Sequence, residues 1–292
     1  MEIIREGYFE GERALYGSSD ITVENSIFDN GESPLKESKN LILREDMFKW
    51  KYPLWYCDNV KADGCTWFEM ARAGVWYSRN IEIKNALIQA PKNFRRSTDL
   101  TLEDVVFSNA EETLWTCSGV KLKNVSASGH YFAMNCENME VDHLVLDGNY
   151  AFDGAKNAVI RNSRLMTKDA FWNCDNITVY DSFISGEYLG WNSKNLTFVN
   201  CTIESNQGMC YIDGLKLVNC KLTGTTLAFE FSNDIDAEIV SSVEQVFNPG
   251  SGKIKACKIK ELIIEKDKVD QQKTSIECDN IVKTSDRPEW LR

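Results

Sequence analysis

The chain has 292 residues, 43% of them hydrophobic, and a formal net charge of −11. That charge excludes the basic footprint which nucleic acids and anionic membranes require. No run of eighteen apolar residues occurs, and Met1-Glu2-Ile3-Ile4-Arg5-Glu6 lacks the apolar core of a secretion signal, so no membrane span and a cytoplasmic location are expected.

Residues 1–13 read as a partial first coil, because Phe9 precedes Phe28 by one period of the repeat that follows. The repeat is a turn residue, an apolar–polar–apolar triplet, then usually Asn or Asp, every nineteen to twenty-one residues. Its copies run Asp20-Ile21-Thr22-Val23-Glu24-Asn25, Asn40-Leu41-Ile42-Leu43, Asn59-Val60-Lys61-Ala62 and Asn80-Ile81-Glu82-Ile83-Lys84-Asn85. They continue at Leu100, Val120, Met139, Ala158, Ile177, Leu196 and Leu215, eleven copies in all. Self-similarity at a fixed period marks a stacked array. Beyond Glu230 the period fades, so 1–235 reads as the solenoid and 236–292 as degenerate coils and a cap within the same domain. Glu265 to Gln272 is a candidate short helix.

Each copy can be numbered from the first apolar residue of its triplet. Positions 0 and +2 are apolar, as are −6 (Leu35, Leu54, Val75, Phe94, Leu114) and +7 (Phe28, Phe48, Trp67, Ile88, Phe107). This alternation is that of strands. The expected fold is all-β, a single-stranded parallel β-helix of about twelve coils with three short strands per coil and about 4.8 Å between coils. Position −1 is always Asn, Asp or Gly, the types that tolerate a left-handed backbone. Stacked Asn side chains can also bond along the axis.

Cys57, Cys117, Cys136 and Cys174 share position −3 with Ser78, Ser97 and Ser193. Cys65, Cys201 and Cys220 share position +5 with Ser26, Ala86 and Ser163. A place filled by Cys, Ser or Ala wants a small buried side chain, so these thiols are expected to be inert packing. There is no C-x-x-C pair, and the only histidines are His130 and His143, so no metal and no cofactor are expected.

The repeat phrase occurs together with Arg13-Ala14-Leu15-Tyr16, Lys36-Glu37-Ser38 and Glu187-Tyr188-Leu189-Gly190-Trp191. In this combination the chain resembles, over nearly its whole length, the family catalogued as domain of unknown function 3737. The resemblance implies a right-handed pectin-lyase-like β-helix and brings no catalytic residues with it. Members are sometimes labelled hydrogenases. This chain lacks the clustered cysteine ligands that such metal centres need.

Chemistry is expected at position −5, which reads Tyr16, Lys36, Trp55, Trp76, Arg95, Trp115, Met134, Asp153, Trp172, Trp191 and Cys210. Alternation against the apolar −6 sends these side chains outward. Tyr131, Tyr150 and Tyr188 at −8, with Arg72 and Lys168 at −9, extend the face. Three readings stay open: an oligosaccharide-binding surface, a face covered by the C-terminal segment or by a second subunit in a homodimer, and a purely structural aromatic stack. If turnover occurs, Asp153, Asp169 and Glu187 on consecutive coils are the catalytic candidates, for a polysaccharide lyase or glycoside hydrolase. Coils of near-minimal length, with no insertion to wall a cleft, weigh against catalysis. Whether the chain is an enzyme stays open.

Overall fold

The structure is a computed structural model that describes residues 2–288; Met1 and residues 289–292, the last of the expected cap, lie outside it. The chain divides into two compact units, 1–148 and 149–292. In the first, the leading strands pair in parallel register, Ile21 with Leu41, Val60, Ile81, Leu100, Val120 and Met139 in turn. In the second, Ala158 is followed by Ile177, Leu196, Leu215 and Ile235. Ala237 then pairs with Ile254, and Ile254 with Ile276. The fold is a parallel β-solenoid.

It has about fifteen turns, against the twelve expected. Coils continue through 236–288, the segment expected to hold degenerate coils and a cap. Register shifts between Leu217 and Cys220, and again between Ile239 and Ser242, displace the phase without ending the coil. The short helix expected over Glu265 to Gln272 reduces to one 3-10 turn, Gln271–Lys273, whose Gln272 N–H donates to the Asp270 carboxylate. Among the described residues no helix is long and apolar enough to cross a membrane.

The three sides of a coil are unequal. The side that carries positions −6 and −5 is two residues long where it is regular, Leu54–Trp55 against Val75–Trp76, and continues as single bridges from Trp76 to Arg95 to Trp115. The cause is local. Positions −8, −6 and −4 take left-handed φ on several coils, as at Lys92 (60°), Phe94 (57°) and Arg96 (48°), a conformation that costs non-glycine residues free energy.

Stacking is held by ladders. Inside the first unit, Phe9, Phe28, Phe48 and Trp67 lie ring on ring at 4.9, 5.0 and 5.0 Å. At the turns, Asn40 donates to Asp20, Asn59 to Asn40, and in the second unit Asn219 to Asn200 and Asn200 to Asp181. Their residues at −1 and +4 have φ near +50°, as the turn types required. At +3 the charge alternates coil by coil through Arg5, Glu24, Arg44, Asp63, Lys84, Glu103, Lys123 and Asp142. Glu24 bridges Arg5 and Arg44 at 2.9 and 2.8 Å, and Glu103 bridges Lys84 and Lys123 at 3.2 and 2.6 Å. In-register stacking brings the same position of each coil within about 5 Å of itself, so a run of one sign would repel.

Eight of the ten cysteines are buried and none is disulfide-bonded; Cys257 is exposed and Cys278 partly so. The Cys57 thiol donates to Leu35 O at 3.1 Å, the bond that Ser78 Oγ makes to Leu54 O at 2.9 Å. Burial pushes Cys57 and Cys65 up to about 12, far from the thiolate that reacts. A thiol reagent added to the folded protein should therefore modify Cys257 and Cys278 quickly and the other eight only on unfolding. Fast labelling of more than two would contradict this burial.

Candidate functional site

In the first unit the −5 residues from Trp55 to Trp115 meet as one continuous stack. The Trp55 and Trp76 rings lie 5.1 Å apart and 6° from parallel. The Arg95 guanidinium sits between two indoles, 4.7 Å from Trp76 and 4.8 Å from Trp115, and its Nη2 donates to Glu112 at 2.9 Å. Tyr131 continues the stack beyond Trp115 at 6.3 Å. All of these side chains are half-buried. Trp55 Nε1 donates to Ala73 O and Trp76 Nε1 to Lys92 O, at 2.6 and 2.7 Å. Ring faces are thus occupied by neighbouring groups, and the Trp55 and Trp76 donors by main-chain carbonyls, while Arg95 Nε is buried without a partner. A sugar stacks on a ring face, and in this stack the faces of Trp76 and Trp115 already meet Trp55, Arg95 and Tyr131. Arg72 is exposed beside them.

Two aromatic residues not singled out from the sequence stand further out. Tyr56 and Tyr77 at −4 are 48% and 36% exposed and stack on each other at 4.9 Å. Their signal was the Trp-Tyr pair recurring after one period.

The second unit is built differently. Asp169 lies between Tyr150 and Tyr188 on the adjoining coils, through the Ala151–Ala170 bridge and the Asp169–Tyr188 register. The Trp172 ring meets Tyr150 at 6.0 Å and 89°, and Tyr188 at 6.5 Å and 72°. Trp191 is tilted by 33° at 6.0 Å. Asp169 is 2% exposed, and no described residue hydrogen-bonds its carboxyl. Burial raises its pKa above the ordinary carboxylate range, Lys168 opposes the rise and Glu187 adds to it. Glu187 pairs with Lys168 at 3.7 Å and raises the Tyr188 hydroxyl by hydrogen bonding. Trp172 Nε1 is buried without a partner, unlike Trp55 and Trp76. Two polar groups in one cluster therefore lack partners.

The three expected carboxylates separate. Asp169 and Glu187 fall on consecutive coils, where Glu187 N bonds Lys168 O at 2.8 Å. Asp153 instead heads a turn ladder: Asn173 donates to it at 2.9 Å, and Asn192 donates to Asn173 at 2.8 Å. That bond makes Asp153 a turn residue. Grooves elsewhere run along charged strands, as at Lys61, Glu82, Thr101 and Lys121. Among the described residues no group of three or more His, Cys, Asp or Glu is placed to hold a metal.

A family model described as "Protein of unknown function (DUF3737)" matches residues 2–277. No curated protein matches the chain. Among solved structures, the A-module of mannuronan C-5 epimerase AlgE4 from Azotobacter vinelandii is similar at 10% identity and a TM-score of 0.27, covering 98% of this chain and 88% of that one. PfbA, a surface adhesin of Streptococcus pneumoniae, is similar at 9% identity and a TM-score of 0.24, covering 96% and 71%. HetL, a pentapeptide repeat protein of Nostoc sp. strain PCC 7120, is similar at 11% identity and a TM-score of 0.22, covering 78% and 90%. Likenesses this distant assign no activity.

Proposed function

This chain belongs to the DUF3737 family of proteins of unknown function, and from its own residues we propose that it binds carbohydrate at the Asp169 cluster of the second unit. The observation that carries this is Trp172 Nε1, buried without a partner, beside the nearly buried Asp169, whose carboxyl no described residue hydrogen-bonds, among rings that meet at steep angles. Trp172 and Tyr188, whose planes stand 72° apart, do not cover each other face to face, and a ring so placed can pack on the C–H face of a pyranose while the two polar groups meet its hydroxyls. Lys168, Glu187, Tyr150, Tyr188 and Trp191 complete the surface. A cytosolic setting suits a chain whose ten cysteines are all unpaired.

A glycan array followed by tryptophan-fluorescence titration tests the reading. Trp172→Ala should weaken any affinity found at least tenfold while Trp55→Ala leaves it nearly unchanged. Silence across neutral and acidic glycans would remove the proposal. The alternative, a non-catalytic scaffold that self-associates through an aromatic surface, is favoured by exposed Tyr56 and Tyr77 on the first unit. Light scattering of the wild type and the Tyr56→Ala/Tyr77→Ala protein decides it; a monomeric wild type rules it out.

A further inference from the structure

Resting on that reading, we infer that the site takes an uncharged glycan and that Asp169 meets it as a hydrogen-bond donor. Its charged surroundings consist of Lys168 on its own coil and Glu187 on the next; the hydroxyls of Tyr188 and Tyr150 belong to the coils after and before it. Lys168 is already paired with Glu187 at 3.7 Å, so no second cation there answers the Asp169 carboxyl. A uronate would add a third carboxylate beside one ammonium, on a chain whose net charge of −11 already repels anions. An uncharged sugar avoids both costs.

The burial of Asp169 decides its role. At 2% exposure, in register between Tyr150 and Tyr188, Asp169 keeps little contact with water, and no described residue hydrogen-bonds its carboxyl in exchange. A carboxylate left in that state costs more than the neutral acid. The neutral acid carries one O–H donor and an acceptor, the complement of a sugar hydroxyl pair. Trp172 Nε1 supplies a second donor and no acceptor. A ligand rich in hydroxyl oxygens satisfies both at once.

The test is an array printed with neutral and uronate-containing glycans, followed by fluorescence titration of the strongest binder from pH 5 to 9. Wild type, Asp169→Asn and Asp169→Ala are compared, with circular dichroism confirming that each is folded. Neutral glycans should dominate the positives. Wild-type affinity should fall at least tenfold as rising pH ionises Asp169. Asp169→Asn, uncharged at every pH and still a donor, should stay flat at the wild-type low-pH affinity, and Asp169→Ala should be weak throughout. Preference for uronates, or an Asp169→Asn protein whose affinity falls with pH as the wild type's does, overturns this inference and leaves carbohydrate binding standing. An array with no positives overturns both. Carbon-13 NMR of the Asp169 carboxyl gives an independent readout, since titration in the ordinary range near pH 4 would refute the donor role whatever the ligand.

Discussion

Replacing Asp46 with Ser should stabilise the protein at pH 8 and slightly destabilise it at pH 4. Asp46 is fully buried at position +5, where Ser26 and Cys65 stand on the adjoining coils. It accepts the main-chain N–H of Ser26 at 2.8 Å and of Arg44 at 3.2 Å. Burial, helped by Glu24 and Glu45, raises its pKa to about 7 against those two bonds. In the unfolded chain the group ionises near 3.8. Between those values the folded state holds the extra proton, so stability falls as pH rises from about 4 to about 7 and is then level. The full difference corresponds to about 4 kcal/mol at most. Serine removes that penalty and keeps one bond, since Ser182 Oγ accepts Ser163 N–H at 3.0 Å from the same position. The lost Arg44 bond costs about 1 kcal/mol. Urea unfolding from pH 4 to 8 should therefore show the two stability curves crossing. Parallel curves would mean that Asp46 ionises normally.

Phe48→Ala should cost about 3–5 kcal/mol, the usual range for emptying a large buried site. Phe48 is fully buried between Phe28 and Trp67, at 5.0 Å from each. Phe9, at the start of the same ladder, has one ring neighbour and is half-buried, so Phe9→Ala should cost about 1–2 kcal/mol. Each coil touches only its neighbours, so an interior gap interrupts the stack where a terminal one merely shortens it. Equal losses in denaturant unfolding would refute the ladder as a graded, coil-by-coil source of stability.

Period and turn chemistry carried most of the fold. Ile21, Leu41 and Val60 announced a strand in each coil, and Asn40 and Asn59 announced both the left-handed turns and the bonds between them. The coils at Ile235, Ile254 and Ile276 were legible only as degenerate ones, because two register shifts broke the count while hydrogen bonding continued. Asp46 escaped because a single acid within a run of Ser, Cys and Ala leaves no periodic trace. The aromatic face was legible as a phase and illegible as a surface. Outward parity is the same for Trp76 and Trp172, yet one lies flat between Trp55 and Arg95 while the other meets two tyrosines at steep angles.

The amino-acid sequence alone determined the solenoid, its turns and the small buried thiols. Each of these depends on a residue's place in the repeat, and stacking turns that place directly into contact with its own copies. Only the tertiary structure decided that Asp153 serves a turn, that the first unit's indoles spend their faces on one another, and that Asp169 stands nearly buried between Tyr150 and Tyr188. Those outcomes depend on side-chain orientation between neighbouring coils, where a few tens of degrees separate a sealed stack from an open cluster, and a period carries no angle.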